Sequence, residues 1–308
     1  MSHDPLVLGI DLGTSGVRIA VIDSSCALLQ TESAPYQIGL TNPLDWCNRC
    51  CTLIERLQPQ YRHRLKAIAV DGTSGTLLAC NQQGLPLAEA LPYSFACPNY
   101  LDQIQSLSPK EGPASSASGS LARALHLVEQ HTAPLLLRHQ ADWISGWLLE
   151  NWSYGEEGNN LRLGWDLSQR AWPDSFTNQP WCDALPEIRA SGSVLGTLSP
   201  QRAKELDLPE DLLVVAGTTD SNAAVLTADA EDDEGITVLG STLVLKRFTD
   251  QPIAPGPGTS THRVGGRWLC GGASNAGAAV LKQLFPDIDL AELSRQIDPD
   301  QNLSLIHI

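Results

Sequence analysis

The strongest candidate for chemistry is an aspartate that precedes a glycine-containing turn near the start of the chain. Asp11 ends an apolar run at residues 6–11, and Gly13, Thr14 and Ser15 follow it. A carboxylate at a strand end can hold Mg²⁺ directly or through water. Glycine in the adjoining turn lets backbone N–H groups approach phosphate oxygens, and the hydroxyls add donors. On its own, the pattern leaves two interpretations open: a phosphate and metal site, or an ordinary hairpin turn.

Two further aspartates follow apolar strands. Asp71 comes after the run at residues 65–70 and opens a polar turn that contains Ser74. Asp220 comes shortly after the run at residues 212–216, at the beginning of a predicted helix. Carboxylates at the carboxyl ends of apolar strands are typical of the ligand cleft of an α/β protein. Taken singly, each aspartate could equally be a turn residue or a helix cap.

A second glycine-hydroxyl turn lies late in the chain. Gly240, Ser241 and Thr242 separate two β-branched, apolar runs at residues 236–239 and 243–248. This strand-turn-strand unit repeats the one at the start of the chain, but it lacks the aspartate. An internal echo over so long an interval indicates a duplicated domain rather than a short-period solenoid.

Several common catalytic motifs are absent from the sequence. The stretch at residues 235–241 has the glycine spacing of a phosphate-binding P-loop but not its lysine. No G-x-S-x-G string occurs, no H-E-x-x-H string occurs, and the seven histidines show no metal-ligand spacing. A histidine-based mechanism is therefore unsupported.

The composition limits the class of protein. The 308 residues predict about two domains, and 20 basic against 35 acidic residues give a net charge of −15. Binding to nucleic acid or to an anionic membrane needs basic patches, so we expect neither partner. A hydrophobic fraction of 42% is typical of a globular protein.

The cysteines and the N-terminus predict a cytoplasmic protein. Cys47, Cys50 and Cys51 form the one cluster among eight cysteines. A zinc site needs a second pair, and none occurs, so we interpret these residues as reduced thiols on a helix. The first residues do not read as a signal peptide, and no run reaches 18 apolar residues.

Hydrophobic spacing gives the elements that must position the candidate residues. Predicted strands occupy residues 6–11, 17–23, 28–33, 65–70, 76–80, 212–216, 236–239 and 243–248. Predicted helices occupy residues 46–57, 120–130 and 141–150, a segment that starts at Ser199-Pro200, and a segment from residue 223 onward. The tryptophan-rich stretch at residues 143–181 is interpreted as core packing.

Taken together, the motifs resemble those of the FGGY carbohydrate kinases, which belong to the superfamily of sugar kinases, Hsp70 and actin. The resemblance covers residues 6–300 and rests on five segments in the family's order, at residues 10–18, 69–76, 217–220, 238–242 and 271–277. It implies an α/β fold of two RNase H-like domains that close on a cleft for ATP and sugar. Residues 1–234 would form the sugar-binding N-terminal domain, and residues 235–308 part of the nucleotide-binding C-terminal domain.

The resemblance also implies roles for individual residues. Asp11 would position Mg²⁺ and approach the sugar, and Asp220 would be the general base that takes the proton from the sugar hydroxyl. Asp71 or Ser74 would help to hold the hydroxyls of the ketose, with Ser74 the preferred residue of the two. Phosphate would be bound by the two glycine-hydroxyl turns, formed by Gly13, Thr14 and Ser15 and by Gly240, Ser241 and Thr242.

Within the family, three stretches resemble a cyanobacterial and plant-plastid branch that acts on D-ribulose. They lie at residues 71–75, 140–143 and 154–160. D-xylulose stays open as the substrate, since one hydroxyl distinguishes the two sugars. Family members continue beyond residue 308 into an adenosine-binding stretch, so we expect the sequence to be a fragment. A truncated, non-catalytic sugar-binding relative is therefore a second hypothesis, and an actin-like ATPase without sugar chemistry is a third.

Overall fold

A computed structural model gives the architecture of the chain. It describes residues 4–108, 112–131, 133–228, 230–231, 234–239, 243–254, 256, 258–274, 277–286 and 288–297. The strands are β1 (Leu6–Leu12), β2 (Gly16–Ile22), β3 (Leu28–Pro35), β4 (Leu65–Gly72), β5 (Leu77–Cys80), β6 (Leu136–His139), β7 (Tyr154–Glu156), β8 (Glu187–Arg189), β9 (Val194–Thr197), β10 (Leu213–Thr219), β11 (Ile236–Leu239), β12 (Leu243–Thr249), β13 (Thr259–Val264) and β14 (Arg267–Ser274).

The helices lie between these strands and are mostly short. They are α1 (Pro43–Glu55), α2 (Pro59–Arg62), α3 (Leu101–Leu107), α4 (Ser120–Gln130), α5 (Gln140–Leu149), α6 (Glu157–Asn160), α7 (Asp174–Thr177), α8 (Pro200–Leu206), α9 (Asp220–Leu226), α10 (Ala278–Leu284) and α11 (Leu290–Arg295). Single turns of 3₁₀ helix occur at Pro98–Tyr100, Leu161–Leu163 and Cys182–Ala184.

A six-stranded sheet organises the first two thirds of the chain. Its strand order is β3-β2-β1-β4-β10-β9. The central strands β1, β4 and β10 run parallel, whereas β2, β3 and β9 pair antiparallel with their neighbours. Because parallel strands end at the same edge of a sheet, the residues that follow β1, β4 and β10 come together there.

A second sheet, of four antiparallel strands, has the order β11-β12-β14-β13. Its hairpin β11–β12 pairs Ile236 with Lys246 and Leu239 with Leu243. This hairpin confirms the predicted repeat of the antiparallel strand-turn-strand unit β1–β2. The turn between β11 and β12, Gly240 to Thr242, lies outside the described residues. The predicted domain boundary at residues 234 and 235 stays a prediction.

One face of the six-stranded sheet carries the main hydrophobic core. Alternate side chains of the central strands, among them Leu8, Ile10, Ile68, Val70 and Val214, are 0–2% exposed. They pack against helices α1, α5 and α8. Burying each such side chain contributes about 1.5–3 kcal/mol, so this face fixes the positions of the strands.

The opposite face carries small and polar residues and lines a cavity of about 940 Å³. Gly9, Ala69 and Gly217 lie on this face together with Asp11 and Asp71. Helix α9 and the turn between β13 and β14 also border the cavity. Asp11 and Asp71 therefore face an open cleft and not the core.

Helix α1 begins earlier than predicted, and the difference has a capping explanation. It begins at Pro43 instead of residue 46, because Asn42 caps it by accepting a hydrogen bond from the Asp45 amide at 3.0 Å. Helix α9 begins at Asp220, the residue predicted to lie at a helix start, and the Thr219 hydroxyl caps it. Asp220 thus occupies the first helical position.

The cysteines and tryptophans behave as predicted. Cys47 and Cys50 are buried in α1, Cys51 is half-buried, and all eight cysteines are free thiols. Burial raises the pKa of each thiol in this cluster, which keeps it protonated. Trp143, Trp147 and Trp181 are at most 8% exposed, as expected for core residues. Within the part of the chain that the structure describes, no helix is long and apolar enough to cross a membrane.

Candidate active site

Asp11 and Asp71 lie side by side on neighbouring parallel strands. They are register partners in the pairing of β1 with β4. Burial raises the pKa of Asp71 well above its ordinary value, and the adjacent Asp11 and the more distant Asp220 raise it further. Asp11 also forms an ion pair with Arg18 at 2.9 Å. Because this pair is exposed to solvent, it contributes little to stability.

Asp220 joins this pair from the third parallel strand, which ends at Thr219. Its side chain is exposed, and its Oδ1 accepts a hydrogen bond from the Ser221 amide at 2.7 Å. The surrounding protein raises the pKa of Asp220, while the backbone amides of Ser221 and Ser74 lower it. The Ser74 amide therefore faces the Asp220 carboxylate. The loop at residues 73–76, which is predicted to bind the sugar and is called the sugar loop below, thus lies next to the predicted base.

The first glycine-hydroxyl turn lies at the same edge of the sheet. The Gly13 amide donates to the Gly16 carbonyl at 2.9 Å and closes the hairpin between β1 and β2. Thr14 and Ser15 are exposed at its tip, where their amides and hydroxyls can reach a ligand. The structure thus brings Gly13, Thr14 and Ser15 to the cleft edge that carries the three aspartates.

A chain of hydrogen bonds joins this turn to the sugar loop. Tyr36 Oη donates to the Gly13 carbonyl at 3.1 Å and accepts from Gln140 Nε2 at 3.2 Å. Gln140 Oε1 accepts from the Thr73 hydroxyl at 2.7 Å and from the Thr73 amide at 3.1 Å. Gln140, at the start of α5, therefore fixes the spacing between the two loops.

Two cationic residues beside Asp220 were not predicted from the sequence. Arg162 lies in a 3₁₀ turn after α6, where its side chain is exposed at the surface. The protein packed around the guanidinium lowers its pKa, and Asp220 opposes this effect. Lys246 comes from β12 and is 7% exposed. Lys246 lies on the same inward face of β12 as Phe248, two residues away. The alternation of residues along the strand could therefore have indicated that this lysine is buried. Nothing in the sequence pointed to Arg162.

Three predicted phosphate-binding residues cannot be placed. Gly240, Ser241 and Thr242 lie outside the described residues, as do Asn275 and Ala276 of the predicted glycine-rich stretch. The strands β11 and β12 that flank the turn from Gly240 to Thr242 belong to the sheet that provides Lys246.

The residues present suit Mg²⁺. Asp71 Oδ1 is buried and accepts no hydrogen bond from the described residues, so it is available for a metal, a metal-bound water or a substrate hydroxyl. Asp11 adds a carboxylate that is 35% exposed. Within the described ranges, no group of three or more histidine, cysteine or acidic side chains has metal-binding geometry. One or two carboxylates with water and phosphate oxygens are what Mg²⁺ ordinarily takes in phosphate-transfer sites.

The arrangement is suited to polar group transfer in a cleft. A carboxylate at a helix start, a pair of carboxylates on neighbouring strands and a turn rich in amides and hydroxyls meet at one sheet edge. Such a site can accept a proton, bind a cation and hold an anionic group at the same time.

The fold is that of the sugar kinases. The structure superposes on a xylulose kinase from Rhodospirillum rubrum with a TM-score of 0.81, at 17% identity, over 94% of this chain and 65% of that one. It superposes on a glycerol kinase from Plasmodium falciparum, solved with ADP, with a TM-score of 0.78 at 14% identity. That match covers 95% of this chain and 66% of the glycerol kinase.

Sequence comparison points to the same class. The chain is 24% identical over 267 residues to a xylulose kinase from Lactococcus lactis, which is 79% of this chain and 53% of the relative. The chain therefore spans about half the length of that curated relative. No family model matches the sequence. These similarities support the resemblance to FGGY carbohydrate kinases that the motifs indicate.

Proposed function

We propose that the protein is an FGGY-type, ATP-dependent carbohydrate kinase that phosphorylates a pentulose, with D-ribulose as the preferred substrate. The observation that carries the proposal is the convergence of Asp11, Asp71 and Asp220 beside the sugar loop of Ser74 and the turn at Gly13. The sugar-kinase fold supports the reaction class, and the resemblance of three stretches to the D-ribulose branch supports the substrate.

In this mechanism Asp220 is the general base. It takes the proton from a sugar hydroxyl as the oxygen attacks the γ-phosphorus of ATP, and the bond to the β,γ-bridging oxygen breaks to leave ADP. The position of Asp220 at the cleft, within reach of the Ser74 amide, suits a residue that must meet both sugar and phosphate. Asp71 and Ser74 would hold the sugar hydroxyls, and Thr14 and Ser15 would donate to phosphate.

A divalent metal would be held by Asp11, with Asp71 beside it. Mg²⁺ at this place would neutralise charge on the transferring phosphoryl group and on the nucleotide. The turn from Gly240 to Thr242 would contact phosphate from the second sheet. The first domain would bind and orient the sugar. Its loops at Gly13 and Thr73 are held in place by hydrogen bonds to Tyr36 and Gln140.

D-xylulose is the alternative substrate, because the relatives named as xylulose kinases share the fold. Formation of ADP with each sugar, measured in a coupled assay, distinguishes the two. We expect turnover with D-ribulose to exceed turnover with D-xylulose. Higher kcat/KM with D-xylulose would make the protein a xylulose kinase and overturn the choice of sugar.

The Asp220→Asn variant tests the assignment of the base. Loss of a general base typically costs 10²–10⁴-fold in rate, and we expect kcat to fall by about that factor while the sugar still binds. Asp211→Asn is the matched control, since Asp211 is an exposed residue paired with Lys66. Wild-type turnover in Asp220→Asn would show that another group accepts the proton.

A non-catalytic sugar-binding protein is the second hypothesis. Titration calorimetry with D-ribulose and with ATP separates the two functions. The kinase proposal requires that both bind, whereas sugar binding without ATP binding supports the second hypothesis.

A further inference from the structure

Two positively charged side chains from different parts of the chain flank Asp220. Arg162 reaches it from the 3₁₀ turn at Leu161–Leu163, and Lys246 reaches it from β12 of the second sheet. The Asp220 carboxylate raises the pKa of both cations, which shows that it lies close to each.

Lys246 is held in place by the first turn of α9. Its Nζ donates to Asn222 Oδ1 at 2.9 Å and to the Ser221 carbonyl at 3.3 Å. Asn222 is fully buried, and Lys246 is 7% exposed. The ammonium group is therefore fixed behind Asp220, where it can act on a ligand through its field and cannot move out to solvent.

Arg162, unlike Lys246, is exposed and makes no polar contact within the described part of the chain: no hydrogen bond or ion pair engages its guanidinium. Its Cδ lies 3.6 Å from the position that a Cβ on Gly75 would take, so the side chain runs along the sugar loop. The guanidinium is thus available at the side of the cleft where Ser74 faces Asp220.

The two cations share one small region. Burial and the nearby Arg162 lower the pKa of Lys246 to about 8, with Asp220 opposing this effect. Burial, Lys246 and Arg162 together lower the pKa of His262, on β13, to about 3, so its imidazole is neutral. Arg162 and Lys246 lie on the Asp220 side of the site, whereas the other two carboxylates, Asp11 and Asp71, lie on β1 and β4. A pair of cations on one side of a site favours an anionic group there.

We propose that Arg162 binds the phosphoryl group on the sugar side of the reaction, with Lys246 supporting it from behind. This inference rests on the proposed function and adds a residue to it. As the sugar oxygen bonds to the γ-phosphorus and the bond to ADP breaks, the phosphoryl oxygens come to lie beside the acceptor hydroxyl that Asp220 deprotonates. A guanidinium there can donate two parallel N–H bonds to phosphate oxygens. Arg162 is thus a product-binding and charge-stabilising residue.

Calorimetric titration with inorganic phosphate and, separately, with D-ribulose tests the assignment without requiring turnover. We expect Arg162→Gln to weaken phosphate binding by about tenfold or more, as loss of a charge-assisted bidentate contact costs roughly 1.5–3 kcal/mol. D-ribulose binding should change less than twofold. Arg162→Lys should restore part of the phosphate affinity, because it restores the charge but not the fork geometry.

Lys204→Gln is the matched control, since it removes one exposed positive charge from α8, on the core side of the sheet. Equal phosphate affinity in the wild type and Arg162→Gln, or no phosphate binding by the wild type at millimolar concentration, overturns the proposal. Because Arg162 is exposed, the variant should keep its melting temperature, which separates binding from folding. Phosphate binding that depends on Arg162 in a protein that does not phosphorylate any pentulose would instead refute the proposed function alone.

Discussion

Asp11 and Asp71 lie directly opposite each other on the parallel strands β1 and β4, with their side chains on the open face of the sheet. Two carboxylates so close repel each other, and Asp71 Oδ1 accepts no hydrogen bond from the described residues. The two facing carboxylates therefore lower the stability of the folded protein. Such a local loss of stability is common at functional sites. A cation or a sugar hydroxyl between the two carboxylates would remove the penalty.

The first prediction concerns the stability cost of this pair. Asp71→Asn removes one of the two facing charges and should raise the free energy of unfolding by about 1 kcal/mol or more at pH 8 in the presence of a chelator. Urea denaturation measures the change. Asp211→Asn, at an exposed aspartate paired with Lys66, should be neutral or slightly destabilising. A destabilised Asp71→Asn protein would mean that the pair is satisfied and not strained.

The second prediction concerns Gln140, which joins the turn at Gly13 to the loop at Thr73 through hydrogen bonds. Gln140→Leu leaves the buried Thr73 hydroxyl and amide without their acceptor and should destabilise the protein by about 1–3 kcal/mol. Because the lost bonds fix both loops, KM should rise for sugar and for ATP together. Gln201→Leu, at an exposed glutamine of α8, is the control. A variant in which neither KM changes would show that the two loops are held by other contacts.

The third prediction concerns the close packing of β10 on β4. A Cβ on Gly217 would overlap the Val70 carbonyl oxygen, so Gly217→Ala must separate the two strands beside the site. Overpacking of this kind costs about 1–3 kcal/mol. Gly9→Ala is the matched control, because its Cβ would meet its nearest neighbour, the Ala20 carbonyl, at 3.9 Å. Thermal denaturation of both variants checks the difference, and equal melting temperatures would contradict it.

The fourth prediction concerns pH. Lys246 has a folded-state pKa of about 8, below its ordinary value of 10.5, because it is buried near Arg162 while Asp220 partly opposes the shift. The neighbouring imidazole of His262 is already neutral in this range. Lys246 therefore loses its charge as pH rises through about 8, and the affinity for sulfate, whose own charge is constant, should fall between pH 7 and 9.5.

The matched variant for this pH effect is Lys246→Arg, which keeps its charge throughout the range. Its sulfate affinity should fall less steeply with pH than that of the wild type, and the remaining decline is that of Asp71, whose pKa is raised to about 8 in both proteins. The same titration predicts that wild-type stability gains from this group as pH rises from about 8 to 10.5, because the folded state binds fewer protons than the unfolded state there. An equal decline of sulfate affinity in both proteins would assign the effect to another group.

Much of the fold could be predicted because local patterns decide it. The apolar runs with β-branched residues gave β1, β2, β4 and β10 nearly to their observed bounds, and helical spacing gave α4 at residues 120–130. The start of α1 was predicted three residues late, because the spacing of apolar residues does not mark the cap at Asn42. The repeat of the strand-turn-strand unit was predicted correctly.

The site could be predicted in part. Asp11, Asp71 and Asp220 each follow a strand, and the carboxyl ends of parallel strands meet, so their proximity was foreseeable. Strand register was not, and register is what sets Asp11 opposite Asp71. Arg162 and Lys246 approach Asp220 through tertiary packing of segments far apart in sequence. The alternation along β12 puts Lys246 on the face of Phe248, but no local pattern identifies Asp220 as its neighbour.

The central claim is that the protein transfers the γ-phosphoryl group of ATP to a pentulose. Its most direct test is ADP formation by the purified protein with Mg²⁺ and D-ribulose, followed beside the Asp220→Asn variant. The account predicts D-ribulose-dependent ADP release that falls by about 10²–10⁴-fold in the variant. Sugar-dependent release that is equal in both proteins, or release that does not depend on any pentulose, would contradict it.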